Sequence, residues 1–271
     1  MNLTLFWIMW AIYAAATVFY WRDFLGTERK AHRLKIYLLS TAVGVHLAFF
    51  VFFLNQVERL YIANVSEAMN SFVLFTALTY WLLEKRLNEP SMGTFILPVL
   101  LVLLAVSNIL FAPSPHIAPV LHDYKFEIHV LCMLLAYGAF TLSFIASLLQ
   151  YLLARELKKL SMGVFYTRLP SLTFFERISN AAVDAGLVFA LLGLALGLYG
   201  ANIVWDNLML ADPKFSAVLI IIATYGFHFI SRKLLGWQGD RAAIISITGF
   251  VWILFSFLVI SLVFTTQHQF R

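Results

Sequence analysis

Cysteine is almost absent: Cys132 stands alone in 271 residues, which excludes an internal disulfide and a CxxC redox pair. Its place inside a long apolar run fits plain packing. Charge is scarce as well, with Asp, Glu, Lys and Arg making up 12% of the chain, about half the roughly 25% of an ordinary soluble domain. There is no HExxH, no clustered Cys/His set and no dense group of carboxylates, so zinc and di-iron chemistry lack a ligand set. Without a GxSxG elbow, nucleophilic hydrolysis has no starting point either. Gly/Ser linkers, low-complexity tracts and the internal repeats of many secondary transporters are all missing, which argues for one bundle and against a transporter. The N-terminus lacks the basic n-region and small-residue cleavage site of a secretory signal, so the first apolar run is expected to stay in the protein.

What is present is hydrophobic length. Apolar residues form 62% of the chain, arranged in runs of about 20, the number a helix rising 1.5 Å per residue needs to cross a hydrocarbon layer about 30 Å thick. Eight segments qualify, at about 3–21, 36–55, 66–83, 94–112, 126–153, 181–201, 215–232 and 242–264. The runs lack the alternation of a barrel strand, and within lipid each backbone group must be paired inside its own segment. The expected fold class is therefore all-α: a polytopic membrane helix bundle of eight transmembrane helices, forming one membrane domain over residues 1–271.

Basic residues are retained on the cytoplasmic side, and their distribution alternates along the chain. The connections after segments 1, 3, 5 and 7 hold five, two, five and three Lys or Arg, including Arg29, Lys30, Lys158, Lys159, Arg168 and Arg232. The other three connections and the C-terminal tail hold one each: Arg59, Lys125, Lys214 and Arg271. Both termini are thus expected on the outer, non-cytoplasmic side of the cell inner membrane. The formal charge of +5 then reflects loops facing anionic headgroups, with the lipid bilayer as partner and no nucleic acid required.

Two connections have a character of their own. The inner one before segment 6 contains Leu169, Pro170, Leu172, Phe174 and Phe175 among charges, the pattern of a short segment lying on the membrane surface. On the outer side, Pro113, Pro115, His116, Pro119 and His122 make a short rigid loop with solvated histidines, and Tyr199 to Lys214 carries Trp205, Asp206, Asp212 and Pro213 as an aromatic, acidic loop. In segment 6, Gly186, Gly193, Gly197 and Gly200 fall at spacings that let another helix backbone approach closely.

An ionisable group at a membrane helix centre costs about 2.5–3.5 kcal/mol on insertion scales, so each needs a reason. His46 lies midway along segment 2 and His228 within segment 7; His129 stands at the start of segment 5 and His268 beyond segment 8. Neutral imidazole is tolerated in apolar surroundings and its ring nitrogen is a good axial donor to heme iron. Sorted by depth, His46 with His228 would make an internal site, and His129 with His268 an outer one. A lone membrane histidine is equally suited to hydrogen-bonding a neighbouring helix. Asp184, near the inner end of segment 6, suits pairing with a neighbour or snorkelling, with proton relay as the alternative.

The residues that go furthest are in the C-terminal half. Leu169-Pro170-Ser171-Leu172, the run Gly193 to Asn202, and Gly236-Trp237-Gln238-Gly239-Asp240-Arg241-Ala242-Ala243 before a last apolar segment resemble the cytochrome c assembly protein family of CcsA/HemX-like integral membrane proteins. The octapeptide is close to that family's GWRGxRAA signature. His129, with Tyr137 eight residues on, resembles the family's first outer histidine, His268 its last outer histidine, His228 the histidine after its outer motif, and His46 that of its second helix. The family's tryptophan-rich WGxxWxWDPK segment is reduced to Asp212-Pro213-Lys214, with Leu210 and Ala211 at the last tryptophan and its neighbour, and with Trp205 and Asp206 as a displaced remnant. That departure is nearer the HemX-like branch.

What the resemblance implies is a non-enzymatic protein that binds heme, as heme b, for cytochrome c assembly or heme homeostasis. Heme iron would be held internally by His46 and His228 and at the outer face by His129 and His268. Other cytochrome c maturation or tetrapyrrole-pathway proteins would be its partners. The alternative is a regulatory or accessory membrane subunit that binds a partner protein and keeps a vestigial heme site.

Overall fold

The computed structural model describes residues 3–26, 32–57, 60–62, 64–111, 123–160, 163–204 and 213–256. Among them the regular structure is helical throughout: α1 (Leu3–Leu25), α2 (His32–Val57), α3 (Val65–Leu87), α4 (Gly93–Ile109), α5 (Tyr124–Lys158), α6 (Val164–Arg168), α7 (Leu172–Val204), α8 (Pro213–Leu234) and α9 (Asp240–Phe255). Each of the eight apolar segments falls on a long helix, the first five on α1 to α5 and the last three on α7, α8 and α9. The final segment runs on into residues outside those described. Among the described residues, five stretches are long and apolar enough to cross a membrane, Thr4–Leu25, Leu34–Gln56, Tyr124–Lys158, Leu172–Gly200 and Phe215–Leu234, and Gly93–Ile109 is a shorter apolar helix.

One expectation shifts in register. The short helix after α5 is α6, at Val164–Arg168 and with no buried residue, whereas Leu172, Phe174 and Phe175, expected on the membrane surface, belong to the first turn of α7. Phe175 is fully buried, so the chain enters the bundle there and does not lie along a surface.

The helices form two compact units, residues 1–115 and 116–271. In the first, α3 is the polar helix, burying Ser66, Glu67, Asn70, Ser71, Thr76 and Glu84. Its ends are set by local chemistry. Asn64 caps the start by accepting from the Glu67 N–H at 2.8 Å, and Asn88 ends it in the left-handed conformation, which asparagine tolerates well. The Tyr20 hydroxyl donates to both Glu84 carboxylate oxygens, at 2.8 and 2.6 Å. Gly93 starts α4 where a Cβ would lie 2.3 Å from the Tyr20 ring and 2.5 Å from the Tyr80 hydroxyl; no larger residue leaves both tyrosines in place.

In the second unit α5 and α7 run antiparallel in close contact, and three glycines of α7 make the approach possible. A Cβ on Gly186 would come within 2.5 Å of the Phe140 ring, one on Gly193 within 2.8 Å of the Met133 sulfur, and one on Gly197 within 2.7 Å of the His129 ring. Gly200, the fourth of the expected stripe, faces open space. Buried serines tie α5, α7 and α9 together: Ser143 meets Ser179 at 2.8 Å and Ser246 at 2.6 Å, and Ser147 meets Ser179 at 2.8 Å. Tyr225 of α8 stacks on Phe140 with ring centroids 3.8 Å apart.

The octapeptide Gly236 to Ala243 is the turn from α8 into α9. Gly236 and Gly239 have φ of +65° and +63°, where a Cβ would be strained, and this accounts for both glycines of the motif. The turn is fastened by Gly239 N–H donating to Glu176 at 3.2 Å, by Trp237 N–H donating to the Ser231 carbonyl at 3.1 Å, and by a Lys158–Asp240 ion pair.

Candidate histidine sites

His46 is on α2, His129 on α5 and His228 on α8. His46 belongs to the first unit and the other two to the second. His268, Trp205, Asp206 and Asp212 lie outside the described residues. His46, His129 and His228 stand in different states, and the difference decides what each can do.

His46 is fully buried and fully used. Its Nε2 donates to Asn70 Oδ1 at 3.0 Å, which leaves Nδ1 to accept from the Tyr13 hydroxyl at 3.2 Å. Three helices, α1, α2 and α3, are pinned through one imidazole, the structural use open to any membrane histidine. Asn70 is a polar interruption of α3, and Tyr13 sits on the buried stripe of α1; neither carries a motif that marks it as a histidine partner.

His228 is equally buried, but neither ring nitrogen has a hydrogen-bond partner among the described residues. An unsatisfied buried polar group costs about 1–3 kcal/mol, so any partner for this ring would be stabilising. Its backbone carbonyl accepts from Ser231 Oγ at 3.0 Å. One turn on, Arg232 pairs with Asp184 of α7, which is the plain role expected of that acid.

His129 is held by α7. Its Nδ1 donates to the Gly193 carbonyl at 2.6 Å. A carbonyl only accepts, so the neutral ring carries its proton on Nδ1 and its lone pair on Nε2. The ring lies over Gly197, where a Cβ would be 2.7 Å from Cε1 and 2.9 Å from Nδ1. The sequence shows Gly193 and Gly197 as packing residues; that they shape the histidine's pocket is visible only once α5 and α7 are brought together.

A histidine that ligates a metal commonly anchors one ring nitrogen and offers the other. His129 has the anchor and the matching tautomer, and His228 has ring nitrogens with no hydrogen-bond partner among the described residues. Both fit axial ligation of heme iron. His46 would have to release Tyr13 or Asn70 first. Among the described residues no three His, Cys, Asp or Glu side chains converge to hold a metal ion.

Apolar helices of membrane-crossing length, carrying His46 and His228 buried and His129 part-buried, define a multi-pass helical membrane protein. The family model described as cytochrome C assembly protein matches residues 62–268, and the chain belongs to that family. It is 25% identical over 253 residues to protein HemX of Bacillus subtilis (strain 168), covering 92% of this chain and 91% of that one. To HemX of Brevibacillus brevis it is 26% identical over 253 residues, 91% of each. It is also 24% identical over 201 residues to the cytochrome c biogenesis protein CcsA of Chlamydomonas reinhardtii, covering 72% of this chain and 56% of the relative.

Proposed function

We propose that this chain is a non-enzymatic heme-binding protein of the cell inner membrane that receives or relays heme, as heme b, for cytochrome c assembly or heme homeostasis. The observation that carries the reading is His228, buried with two ring nitrogens that no described protein group satisfies. Family membership and the anchored tautomer of His129 support it. When bound, heme supplies an iron that accepts imidazole nitrogens. The chain's part is to hold His129 by Gly193, to keep His228 in an apolar setting, and to exclude water from both. In this reading His268 completes the outer site of His129. His46 would be open to ligation only on giving up one of its two hydrogen bonds.

The membrane arrangement proposed with it is one domain of eight spans with both termini outside, supported by the alternation of Lys and Arg between connections. Other cytochrome c maturation or tetrapyrrole-pathway proteins would exchange heme with it. Heme titration of the detergent-purified protein and its His129→Ala and His228→Ala variants tests the reading. Each substitution is expected to remove a distinct, saturable heme population, and equal heme uptake by the unsubstituted protein and both variants would overturn it.

A further inference from the structure

We propose that Lys125, oriented by Tyr199, is the anchor for a carboxylate of the ligand bound at His129, a heme propionate; this rests on the heme reading above.

Lys125 precedes His129 by four residues on α5, so the two side chains share one helix face with Lys125 roughly 6 Å further toward the N-terminus. Both face α7. His129 meets it at Gly193 and Gly197, and the Lys125 ammonium donates to the Tyr199 hydroxyl at 3.2 Å. The same ammonium sits 4.7 Å from the centroid of the Tyr199 ring and 5.9 Å from that of Tyr124. Two aromatic rings and one hydroxyl thus hold a cation at the mouth of the His129 site while leaving it in contact with solvent.

Two lysines of the second unit fall at the end that carries His129, Lys125 on α5 and Lys214 in the first turn of α8. The unit's other described Lys and Arg residues lie on the C-terminal parts of α5 and α8, on α6, and at the N-terminal ends of α7 and α9. Asp123 caps α5 by accepting from the Lys125 N–H at 2.9 Å, and its charge also bears on the Lys125 ammonium; Glu127 is two residues on along α5, off the i, i+4 face that Lys125 shares with His129. A membrane-end lysine alone would be read as snorkelling. Here the ammonium is tethered over the neighbouring helix, along the line from His129, with an aromatic wall on which a macrocycle edge can rest.

Heme has an apolar plane with both propionates on one edge. Axial ligation fixes the iron but not the rotation of the macrocycle about the bond. A cation one turn from the ligand sets that rotation and favours the ionised ligand over its ester.

The test compares binding of heme and of heme dimethyl ester, whose propionates are capped, to the full-length protein and to Lys125→Gln, Lys125→Arg and Tyr199→Phe, each first checked for unchanged helix content. The unsubstituted protein is expected to prefer heme by roughly three- to tenfold at the His129 site, the scale of a partly exposed charge-assisted pair. Lys125→Gln should abolish the preference with ester affinity unchanged, Lys125→Arg should keep it, and Tyr199→Phe should reduce it. Equal discrimination by the unsubstituted protein and Lys125→Gln overturns the proposal while heme binding itself stands. Heme and ester binding that survive His129→Ala unchanged overturn both the proposal and the reading beneath it.

Discussion

The Nδ1 of His129 donates to the carbonyl of Gly193 at 2.6 Å, so the orientation of one histidine on α5 is written in the backbone of α7. Gly197, four residues further along α7, leaves the space that the imidazole fills. Gly197→Ala is therefore expected to push the ring aside, break that hydrogen bond and cost about 1–3 kcal/mol of stability, the usual range for overpacking. Gly200→Ala is the control: nothing lies within 4 Å of its Cβ position, and the change should stay within about 0.5 kcal/mol. Thermal unfolding in one detergent compares the two, and ¹⁵N spectra of the imidazole report whether Nδ1 keeps its proton.

His46 and His228 should respond in opposite senses to replacement by leucine. Removing His46 strands Asn70 and Tyr13 inside the first unit and should destabilise the heme-free protein by about 1–3 kcal/mol. Removing His228 deletes two unsatisfied nitrogens and should leave the heme-free protein as stable or more so, while heme uptake falls. Paired unfolding and heme titration curves decide it; a His228→Leu protein that unfolds far more readily without heme would mean that the ring has a structural partner.

Ser143 bridges α7 and α9 through Ser179 and Ser246. Interhelical hydrogen bonds in membranes average about 0.6 kcal/mol, so Ser143→Ala should cost about 1 kcal/mol for the two. Ser147→Ala, which loses a single such bond, should cost about half as much by the same reckoning, as read from unfolding in mixed micelles.

Gly236 and Gly239 hold positive φ in the turn between α8 and α9. Alanine at either site is expected to cost about 1–2 kcal/mol through backbone strain alone. The loss should appear in unfolding midpoints with no change in the affinity of His129 for heme.

Much of this was legible in the chain. The eight apolar runs mark the eight long helices because length and hydropathy are local properties, and the Gly186, Gly193 and Gly197 spacing announces a close helix contact before any partner is known. Asp184 pairs with Arg232, the pairing with a neighbour that an acid in an apolar segment suits. What could not be read is which face meets which. His46 and His228 look alike in sequence, each a lone imidazole in an apolar run, and only packing gives one two hydrogen-bond partners and the other none among the described residues. The same holds for Lys125, one basic residue in a connection until Tyr199 is brought against it. Phe174 and Phe175 read as an interfacial pair among charges, whereas packing buries Phe175 in the first turn of α7.

The most direct measurement is the absorption spectrum, oxidised and reduced, of the protein purified from heme-replete cells beside its His228→Ala variant, with a pyridine assay for heme content. The account predicts a sharp low-spin reduced spectrum with stoichiometric heme in the unsubstituted protein and loss of the internal population in the variant. A heme-free protein that folds normally and carries a stoichiometric protein partner would contradict it and favour an accessory subunit instead.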